Sequence, residues 1–170
     1  MAQAIVVMGV AGCGKSTIGA QLARSLSIPF IEGDSLHSRE NVNWMAQGRP
    51  LTDDMRYPWL DEIAASLKGA SDAGVVVSCS ALKRHYRDRL RKGGDVFFLH
   101  IEVPRDVLAA RMKNRQHFMP VSLLDSQLAT LEPLEPDEGG IVIDGELPIL
   151  AMIEQIKKQY TRYGQEFALL

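Results

Sequence analysis

The sequence predicts a single α/β domain whose parallel β-sheet is covered by helices on both faces. Short apolar runs alternate along the chain with longer stretches of helical periodicity, which is the pattern of repeated strand–helix units. The 170 residues suit one compact domain, and the chain contains no internal repeat and no linker rich in Pro, Gly or Ser. Residues 1–170 are therefore expected to form one domain.

The expected strands are runs rich in apolar and β-branched residues, and the expected helices lie between them. Within the first helix, Ile18, Leu22 and Leu26 recur every four residues and so share one face. Ligands of such sheets bind beyond the carboxyl ends of the strands, so chemistry is expected at residues 9–16, 33–37 and 78–83 and at Pro104. The five expected strands span residues 4–8, 29–32, 75–78, 97–102 and 141–144. The expected helices span residues 15–26, 58–70, 83–92, 104–115, 122–131 and 148–163.

The stretch between the first strand and the first helix fits the phosphate-binding pattern G-x-x-x-x-G-K-[ST], through Gly9, Gly14, Lys15 and Ser16. Glycine permits the backbone conformations that such a loop needs, and loop N–H groups and the helix N-terminus then point at the anion. Lys15 is expected to bridge the outer phosphates and to act in catalysis, and the Ser16 hydroxyl to ligate Mg²⁺. A turn without a ligand is the alternative, but chance produces this pattern in under roughly 1% of chains of this length. The expected nucleotide contacts are Gly9, Val10, Ala11, Gly12, Cys13, Gly14, Lys15, Ser16 and Thr17.

Cys13 lies inside this loop, and its chemistry has two interpretations. The helix N-terminus and Lys15 both favour a thiolate, which would make the sulfur reactive towards alkylating reagents. Alternatively, Cys13 is an inert small residue that the loop shields from solvent. Cys79 follows the third strand at the same edge and is the competing target.

A carboxylate after the second strand indicates phosphoryl transfer to an acceptor. Asp34 in the segment "FIEGDSLH" would face the phosphate loop, where it can orient an acceptor hydroxyl and take its proton. The structural alternative is that Asp34 or Ser35 caps the next helix. A GTP-dependent switch is disfavoured, because the chain has no N-K-x-D pattern and the D-x-x-G at residues 137–140 fits a solvated turn. Asp144, at the end of the last strand, fits a turn residue at least as well as a metal ligand.

Charge and composition restrict the partners. The formal net charge of −2 provides no basic field for nucleic acid or for an anionic membrane. No apolar run approaches the length of a membrane span, and the first residues do not resemble a signal peptide. Two cysteines are too few for a disulfide framework, so a reduced, cytoplasmic setting is expected.

Five segments together resemble the bacterial gluconate kinases, and the resemblance runs from about residue 5 to residue 144. The segments are "MGVAGCGKST", "GDSLH", "GRPLTDDMRYPWL", "SCSALKRHYRDRLR" and "HFMPVSLLDSQLATLEP". The first is common among ATPases, and the other four are far more specific. The resemblance implies the nucleoside-monophosphate-kinase-like fold of the P-loop NTPases, with five parallel strands and a lid. It also implies phosphorylation of D-gluconate at O6 by ATP with Mg²⁺, and a homodimer.

A linear polyol with a carboxylate needs cations at its acid end and hydrogen-bonding groups along its hydroxyls. Arg56, Lys83 and Arg87 are the expected cations, since arginine can grip a carboxylate through two parallel hydrogen bonds. Lys83 and Arg87 are four residues apart, one helical turn, directly after the third strand. The alternative for this basic run is a solvated helix face, which we expect for Arg84, Arg89 and Arg91. The expected acceptor-binding residues are Asp34, His37, Arg56, Ser80, Lys83 and Arg87, with Ser78 as a further hydroxyl partner.

The basic segment "RMKNRQHFMP" is expected to form a lid over ATP at roughly residues 111–122. Arg111 and Arg115 are expected to contact the nucleotide, and Arg115 to act in catalysis. Elsewhere, an arginine that stabilises the transferring phosphoryl group contributes roughly 10³ to 10⁵ in rate. The alternative is a cationic helix end that interacts favourably with the helix dipole.

Two other kinases and one non-enzymatic class are the alternatives. Shikimate kinase shares the fold and the carboxylate after the second strand, but it typically has Gly-Gly-Gly where this chain has Ser78, Cys79 and Ser80. A nucleoside monophosphate kinase would usually read Asp-Gly-Tyr/Phe-Pro-Arg there. A nucleotide-dependent regulator would instead show slow hydrolysis that is independent of any acceptor.

Overall fold

The computed structural model describes residues 4–70, 72–114 and 121–167 of the chain. Its strands are β1 (Ala4–Met8), β2 (Phe30–Glu32), β3 (Val75–Ser78), β4 (Val96–Glu102) and β5 (Gly140–Asp144). They form one sheet in the order β2-β3-β1-β4-β5, in which every neighbouring pair is parallel. The predicted α/β class with a five-stranded parallel sheet is confirmed, and each strand lies within one residue of its expected position.

The described ranges contain seven α-helices, one more than the sequence analysis predicts. They are α1 (Lys15–Leu26), α2 (Arg39–Ala46), α3 (Asp53–Gly69), α4 (Arg84–Leu90), α5 (Arg105–Lys113), α6 (Val121–Thr130) and α7 (Ile149–Phe167). The additional helix is α2. It begins after Ser38, whose hydroxyl accepts a hydrogen bond from the Asn41 backbone N–H at 3.1 Å and so caps the helix.

The start of α3 corrects the prediction that this helix begins at Pro58. Thr52 caps the helix by accepting a hydrogen bond from Met55 N–H at 3.3 Å. Asp53 and Asp54 then occupy the first turn, where the helix dipole favours negative charge. These contacts outweigh the one hydrogen bond that Pro58 cannot donate inside the helix. As a result Arg56 lies on a helix rather than in the preceding loop.

The sheet forms the centre of the core and aligns the strand ends that carry the site. All five residues of β1 are buried, and since strand side chains alternate between faces, both faces of the sheet are covered. α1 packs with α7, and α3 packs with α4. The register pairs Val7 and Glu32 with Ser78, and Met8 with His100, so the carboxyl ends of β1 to β4 meet at one edge. Across the described ranges, none of the helices combines the length and apolar character that crossing a membrane demands.

Candidate active site

The loop between β1 and α1 depends on glycine for its backbone conformation. Gly9, Gly12 and Gly14 have positive φ angles of 140°, 81° and 99°. Space is also limiting at Gly9, where a Cβ atom would lie 2.8 Å from Cys13 Sγ and 2.9 Å from the Ile101 carbonyl oxygen. Gly14 is the N-cap of α1, so the first N–H groups of the helix point towards the loop. This is the geometry that the sequence pattern predicts for phosphate binding.

Lys15 extends its side chain over the same loop. Its ammonium group donates a hydrogen bond to the Val10 carbonyl oxygen at 3.0 Å and lies 4.0 Å from Cys13 Sγ. Ser16 and Thr17 follow at the exposed start of α1. An anion in the loop would therefore be close to a cation, to helix N–H groups and to two hydroxyl groups.

Both cysteines are buried: Cys13 is 2% exposed and Cys79 is 1% exposed. Burial raises the pKa of the Cys79 thiol to about 12, so this group is a thiol at neutral pH. Because a reactive cysteine needs both exposure and thiolate character, the geometry favours the inert interpretation of Cys13 and excludes Cys79 as an easy target.

Three of the predicted site charges act on Cys79, the residue that follows β3. The Cys79 thiol lies where its protonation is influenced by the charges of Asp34, Lys15 and Arg56, although burial is the largest influence. These three residues come from three separate parts of the chain. The fold thus brings the phosphate-loop cation, the predicted base and a predicted acceptor cation to one sheet edge.

Asp34 lies on a 3₁₀ turn, Gly33–Leu36, that follows β2. The turn is fixed by Ser78, which accepts a hydrogen bond from Gly33 N–H at 3.1 Å and donates one to the Glu32 carboxylate. Gly33 is required there, since a Cβ atom would lie 1.9 Å from the Ser78 carbonyl oxygen. The Asp34 side chain is 73% exposed.

Ser38 rather than Asp34 or Ser35 caps α2, so the capping alternative for Asp34 is wrong. Ser78 is buried and holds the turn, and this position does not suit the predicted contact with an acceptor.

His37 is a buried neutral side chain beside Asp34. It stacks on Trp59 with ring centroids 4.0 Å apart, and Trp59 Nε1 donates to the Gly33 carbonyl oxygen at 2.8 Å. Burial lowers the pKa of His37 to about 4, assisted by Arg56 and opposed by Asp34. Asn41 Nδ2 lies 3.4 Å from Nδ1, and an amide nitrogen can only donate, so the ring proton is at Nε2. Nε2 lies 4.0 Å from Asp34 Oδ1, which is beyond direct hydrogen-bond distance.

Arg56 and Lys83 are joined by a network that the sequence analysis did not predict. Arg56 Nη1 donates to the Tyr86 hydroxyl at 2.9 Å, and that hydroxyl donates to Asp53. The Asp53 carboxylate also accepts from Lys83 Nζ at 3.4 and 3.5 Å and lies 3.5 Å from His85 Nε2. The hydrogen bond from Tyr86, followed by that from Lys83, holds the pKa of Asp53 below its usual range. The two predicted acceptor cations are thus held in a defined arrangement.

A cavity of about 310 Å³ opens beside this network. Asp53, Arg56 and Lys83 line one part of it, and Ser126 and Gln127 of α6 line another. This volume suits a small molecule. Two cations and one carboxylate in its wall match an acidic, polar ligand better than a neutral apolar one.

Arg87 does not join this cavity, and its predicted contact with the acceptor is wrong. Its side chain is fully buried and forms an ion pair with the buried carboxylate of Glu138, with Nε–Oε1 at 2.6 Å and Nη2–Oε2 at 2.9 Å. The remaining guanidinium hydrogens point to the carbonyl oxygens of Ala81, Leu82, Glu132 and Pro133. Burial disfavours the charge on Glu138, but Arg87 outweighs it and lowers the carboxyl pKa. Arg87 is a structural residue.

Arg84 and Arg89 form ion pairs near the surface, as expected for a solvated face, whereas Arg91 also reaches the buried Glu138 and donates to its carbonyl oxygen at 2.6 Å. Arg84 pairs with Asp137, Arg89 with Asp61 and Arg91 with Asp88. The Asp137 carboxylate of the D-x-x-G stretch is therefore engaged with Arg84, in keeping with a structural turn.

Two further predicted positions lie at loops around the site. Ser80 is partly exposed, and its carbonyl oxygen accepts a hydrogen bond from Gly9 N–H at 3.3 Å, next to the phosphate loop. Asp144 accepts from Glu146 N–H at 2.9 Å, which fits the turn interpretation.

Arg111 links the phosphate loop to the loop after β5. Its guanidinium donates to the Gly12 carbonyl oxygen at 3.4 Å and to the Gly145 carbonyl oxygen at 3.2 Å. This position is compatible with the predicted nucleotide contact. Arg115, together with the other residues of 115–120, half of the expected lid at residues 111–122, lies outside the described residues.

Gln127 is a site residue that the sequence analysis missed. Its Oε1 accepts a hydrogen bond from the Ala11 backbone N–H at 2.8 Å, which connects α6 to the phosphate loop. The residue lies in "LDSQLATLEP", which is part of one of the segments that resemble the gluconate kinases, so the sequence did contain a signal for it. Asp53 and Tyr86 were likewise inside quoted segments, but their side-chain partners come from distant parts of the chain.

Comparison with known proteins identifies the relatives of this chain. The family model for shikimate kinase matches residues 11–134. The gluconokinase of Gluconobacter oxydans (strain 621H) is 45% identical over 163 residues, covering 92% of this chain and 90% of that protein. The thermosensitive gluconokinase of Escherichia coli (strain K12) is 43% identical over 162 residues, covering 92% and 86%. The crystal structure of a gluconokinase from Sinorhizobium meliloti 1021 matches with a TM-score of 0.89 at 43% identity, covering 98% of this chain and 95% of that one.

Proposed function

The chain belongs to the gluconokinases within the shikimate kinase family, and on that premise we propose that it phosphorylates D-gluconate at O6 with ATP, giving 6-phospho-D-gluconate and ADP. The observation that carries this proposal is the position of the two predicted acceptor cations. Arg56 and Lys83 line a cavity of about 310 Å³, and Lys15 and Asp34 follow β1 and β2, whose carboxyl ends lie at the same edge of the sheet. A phosphate loop, a carboxylate base and a cationic acceptor cavity are the three parts that such a transfer needs.

For the nucleotide, we propose that residues 9–17 surround the outer phosphates and that Arg111 contributes from the lid side. Lys15 would exchange the Val10 carbonyl oxygen for phosphate oxygens, because the phosphates carry the larger negative charge. Arg115 is a proposed catalytic residue that neutralises negative charge on the phosphoryl group during transfer. The loop geometry supports the role of residues 9–17, and the contact with the Gly12 carbonyl oxygen supports that of Arg111.

For magnesium, the donor chemistry of the site fits. Mg²⁺ in kinases takes one or two protein oxygens and completes its shell with phosphate oxygens and water. The exposed Ser16 hydroxyl at the start of α1 supplies one such oxygen. Within the described part of the chain no group of three or more His, Cys, Asp or Glu side chains forms a metal cage. When bound, the ion neutralises charge on the outer phosphates.

For the acceptor, we propose that Arg56 and Lys83 bind the carboxylate of gluconate. His37 and Ser80 form hydrogen bonds with the hydroxyl groups of gluconate. Asp34 accepts the proton of the O6 hydroxyl while the bond from O6 to the terminal phosphorus forms and the bond to the ADP oxygen breaks. His37 borders this base, with its Nε2 atom 4.0 Å from Asp34 Oδ1.

The decisive experiment is a coupled assay of ADP release, with and without gluconate, next to shikimate, gluconate epimers and AMP. Gluconate should give rapid ADP release and the other acceptors much less. A dehydrogenase specific for 6-phosphogluconate should then oxidise the product in stoichiometric amount, which tests the position of transfer. ADP release that is slow and independent of any acceptor would contradict the proposal, as would a preference for shikimate.

We further propose a cytoplasmic homodimer. Two buried free cysteines, with no disulfide between them, are compatible with a reducing compartment. Light scattering on a size-exclusion column would test the dimer.

A further inference from the structure

α6 contacts the phosphate loop through Gln127. The Oε1 atom of this side chain accepts the Ala11 N–H at 2.8 Å, across 116 positions of sequence. Ala11 lies between two glycines with positive φ, Gly9 and Gly12, in the part of the loop that is held least by regular structure. Within the loop, Cys13 N–H and Lys15 Nζ both donate to the Val10 carbonyl oxygen, and from outside it Arg111 donates to the Gly12 carbonyl oxygen at 3.4 Å, longer than the bond to Gln127. Gln127 therefore fixes the loop relative to a distant helix.

The same residue lines the acceptor cavity. Gln127 belongs to the wall that also contains Asp53, Arg56 and Lys83. One side chain thus contacts the nucleotide loop and borders the space proposed for the acceptor.

The end of α6 is fixed on the acceptor side as well. Glu132 N–H donates to the Leu82 carbonyl oxygen at 2.8 Å, and Arg84 N–H donates to the Glu132 carboxylate at 2.7 Å. These contacts flank Lys83 on both sides. Leu131 N–H donates to the Gln127 carbonyl oxygen at 2.9 Å, which joins this end to the turn that carries Gln127. The helix end is therefore a short, hydrogen-bonded connection between the segment of Lys83 and the phosphate loop.

We propose that Gln127 is a positioning residue that couples the two substrate sites. It holds the phosphate loop in register with the acceptor cavity, so that binding of the acceptor strengthens binding of the nucleotide and the reverse. The coupling is reciprocal by thermodynamic necessity and requires an element that both ligands influence. The turn of α6 that carries Gln127 is that element. The identity of the acceptor rests on the proposed function.

The test measures the affinity of a non-hydrolysable ATP analogue with Mg²⁺ by calorimetry, with and without saturating gluconate. In the wild-type protein gluconate should tighten the analogue at least about fivefold, the lower end of typical coupling between sites. Gln127→Met keeps the length of the side chain but removes the oxygen that accepts the Ala11 N–H. In this variant the ratio of the analogue affinities with and without gluconate should be close to one, and kcat should fall about tenfold. Gln155→Met, at an exposed position of α7, is the matched control and should behave as wild type.

A conservative variant separates the hydrogen bond from the shape of the side chain. Gln127→Glu keeps an oxygen for the Ala11 N–H, so it should retain the fivefold ratio. Its overall affinity for the analogue should fall, because a negative charge lies near the phosphates. Gln127→Asn is too short to reach Ala11 and should behave as Gln127→Met, which provides a second variant if the first fails to fold.

Two results would overturn the inference. The first is an unchanged ratio in Gln127→Met and Gln127→Asn together with a lower melting temperature, which is the result expected of a purely structural residue. The second is a ratio of one in a wild-type protein that turns over gluconate normally. Failure of the proposed function is recognised separately, as the absence of gluconate-dependent ADP release by the wild-type protein, and the inference then falls with it.

Discussion

The nucleotide half and the acceptor half of the site are built in different ways. The phosphate loop consists of consecutive residues, 9–17, and its geometry comes from backbone N–H groups and glycine conformations. The acceptor cavity is lined by residues from α2, from α3 and the loop before it, from the segment before α4 and from α6. A site made of backbone can be recognised from a short pattern, whereas a site made of side chains depends on contacts between distant segments.

The largest effect is expected from Lys15→Met, which tests the nucleotide half. The change removes the cation from the loop and keeps a side chain of similar length, so turnover should fall roughly 10³-fold while the fold persists. Steady-state ADP release and a thermal melt measure the two parts of this prediction. Lys158→Met, at an exposed position of α7, is the control. Near-normal turnover in Lys15→Met would remove the functional basis of the phosphate-loop assignment.

The local signals of the sequence explain what was predictable. The phosphate loop, β1, β3 and α1 have the expected boundaries, because glycine spacing and runs of apolar residues are properties of neighbouring residues. The start of α3 was missed because Pro58 suggested a first turn, although the capping residue Thr52 and two aspartates precede it. Two local signals compete here, and the capping residue with its two aspartates outweighs the proline in setting the start of the helix.

The error at Arg87 has a different origin. The spacing of Lys83 and Arg87 suggested one helix face, but Lys83 is the N-cap of α4 and its backbone is extended, with φ −104° and ψ 150°. The two side chains therefore do not follow helical spacing. The partner of Arg87 is Glu138, 51 positions later in the loop before β5. Because the pairing depends on the tertiary fold, no local pattern indicates it.

The second prediction uses Arg87 to separate a structural cation from a functional one. Arg87→Met removes the bidentate partner of the buried Glu138 carboxylate and leaves it Arg91 at 3.5 Å and the Glu135 N–H, which should cost about 3 kcal/mol of unfolding free energy. The carboxyl pKa of Glu138 is lowered from 4.5, so the stabilisation by this pair is present above about pH 4.5 and is lost as the pH falls further. Urea unfolding at pH 7 and below pH 4 should therefore show a smaller difference between wild type and variant in acid.

Arg84→Met is the matched control for this experiment, since its partner Asp137 is largely exposed and solvent screens the pair. Its stability should change little. The opposite outcome is an Arg87→Met protein with wild-type stability and a raised KM for gluconate. That result would show that Arg87 binds the acceptor.

The third prediction tests whether Asp34 belongs to the acceptor half. Asp34→Asn keeps the size of the side chain but cannot accept a proton, so kcat should fall by roughly 10² or more. Binding of the ATP analogue should change little, because Asp34 is not part of the loop. Rapid-quench measurement of transfer and calorimetry of the nucleotide give the two quantities, with Glu154→Gln on α7 as the control. A loss of nucleotide affinity without a loss of kcat would assign Asp34 to the nucleotide half.

The smallest effect is expected from Tyr86→Phe, which examines how the acceptor half is held together. The Tyr86 hydroxyl accepts from Arg56 at 2.9 Å and donates to Asp53, while its ring is buried. Removing the hydroxyl leaves both cations in the protein but loosens their arrangement. One hydrogen bond of about 1 kcal/mol corresponds to about a fivefold rise in KM for gluconate. The values of kcat and of KM for ATP should stay within about twofold of wild type, because the two partners of this hydroxyl, Arg56 and Asp53, lie outside the phosphate loop.

A neutral polyol without the carboxylate gives the internal comparison for the same variant. Its weak turnover should be nearly equal in wild type and Tyr86→Phe, since the cations that Tyr86 orders have no carboxylate to bind. Tyr57→Phe removes a hydroxyl from a partly buried tyrosine that packs against Arg89, and it should leave all three constants unchanged. If Tyr86→Phe instead raised KM for ATP as much as KM for gluconate, the two halves would not be separable, and α6 rather than α3 would be the element that orders Arg56 and Lys83.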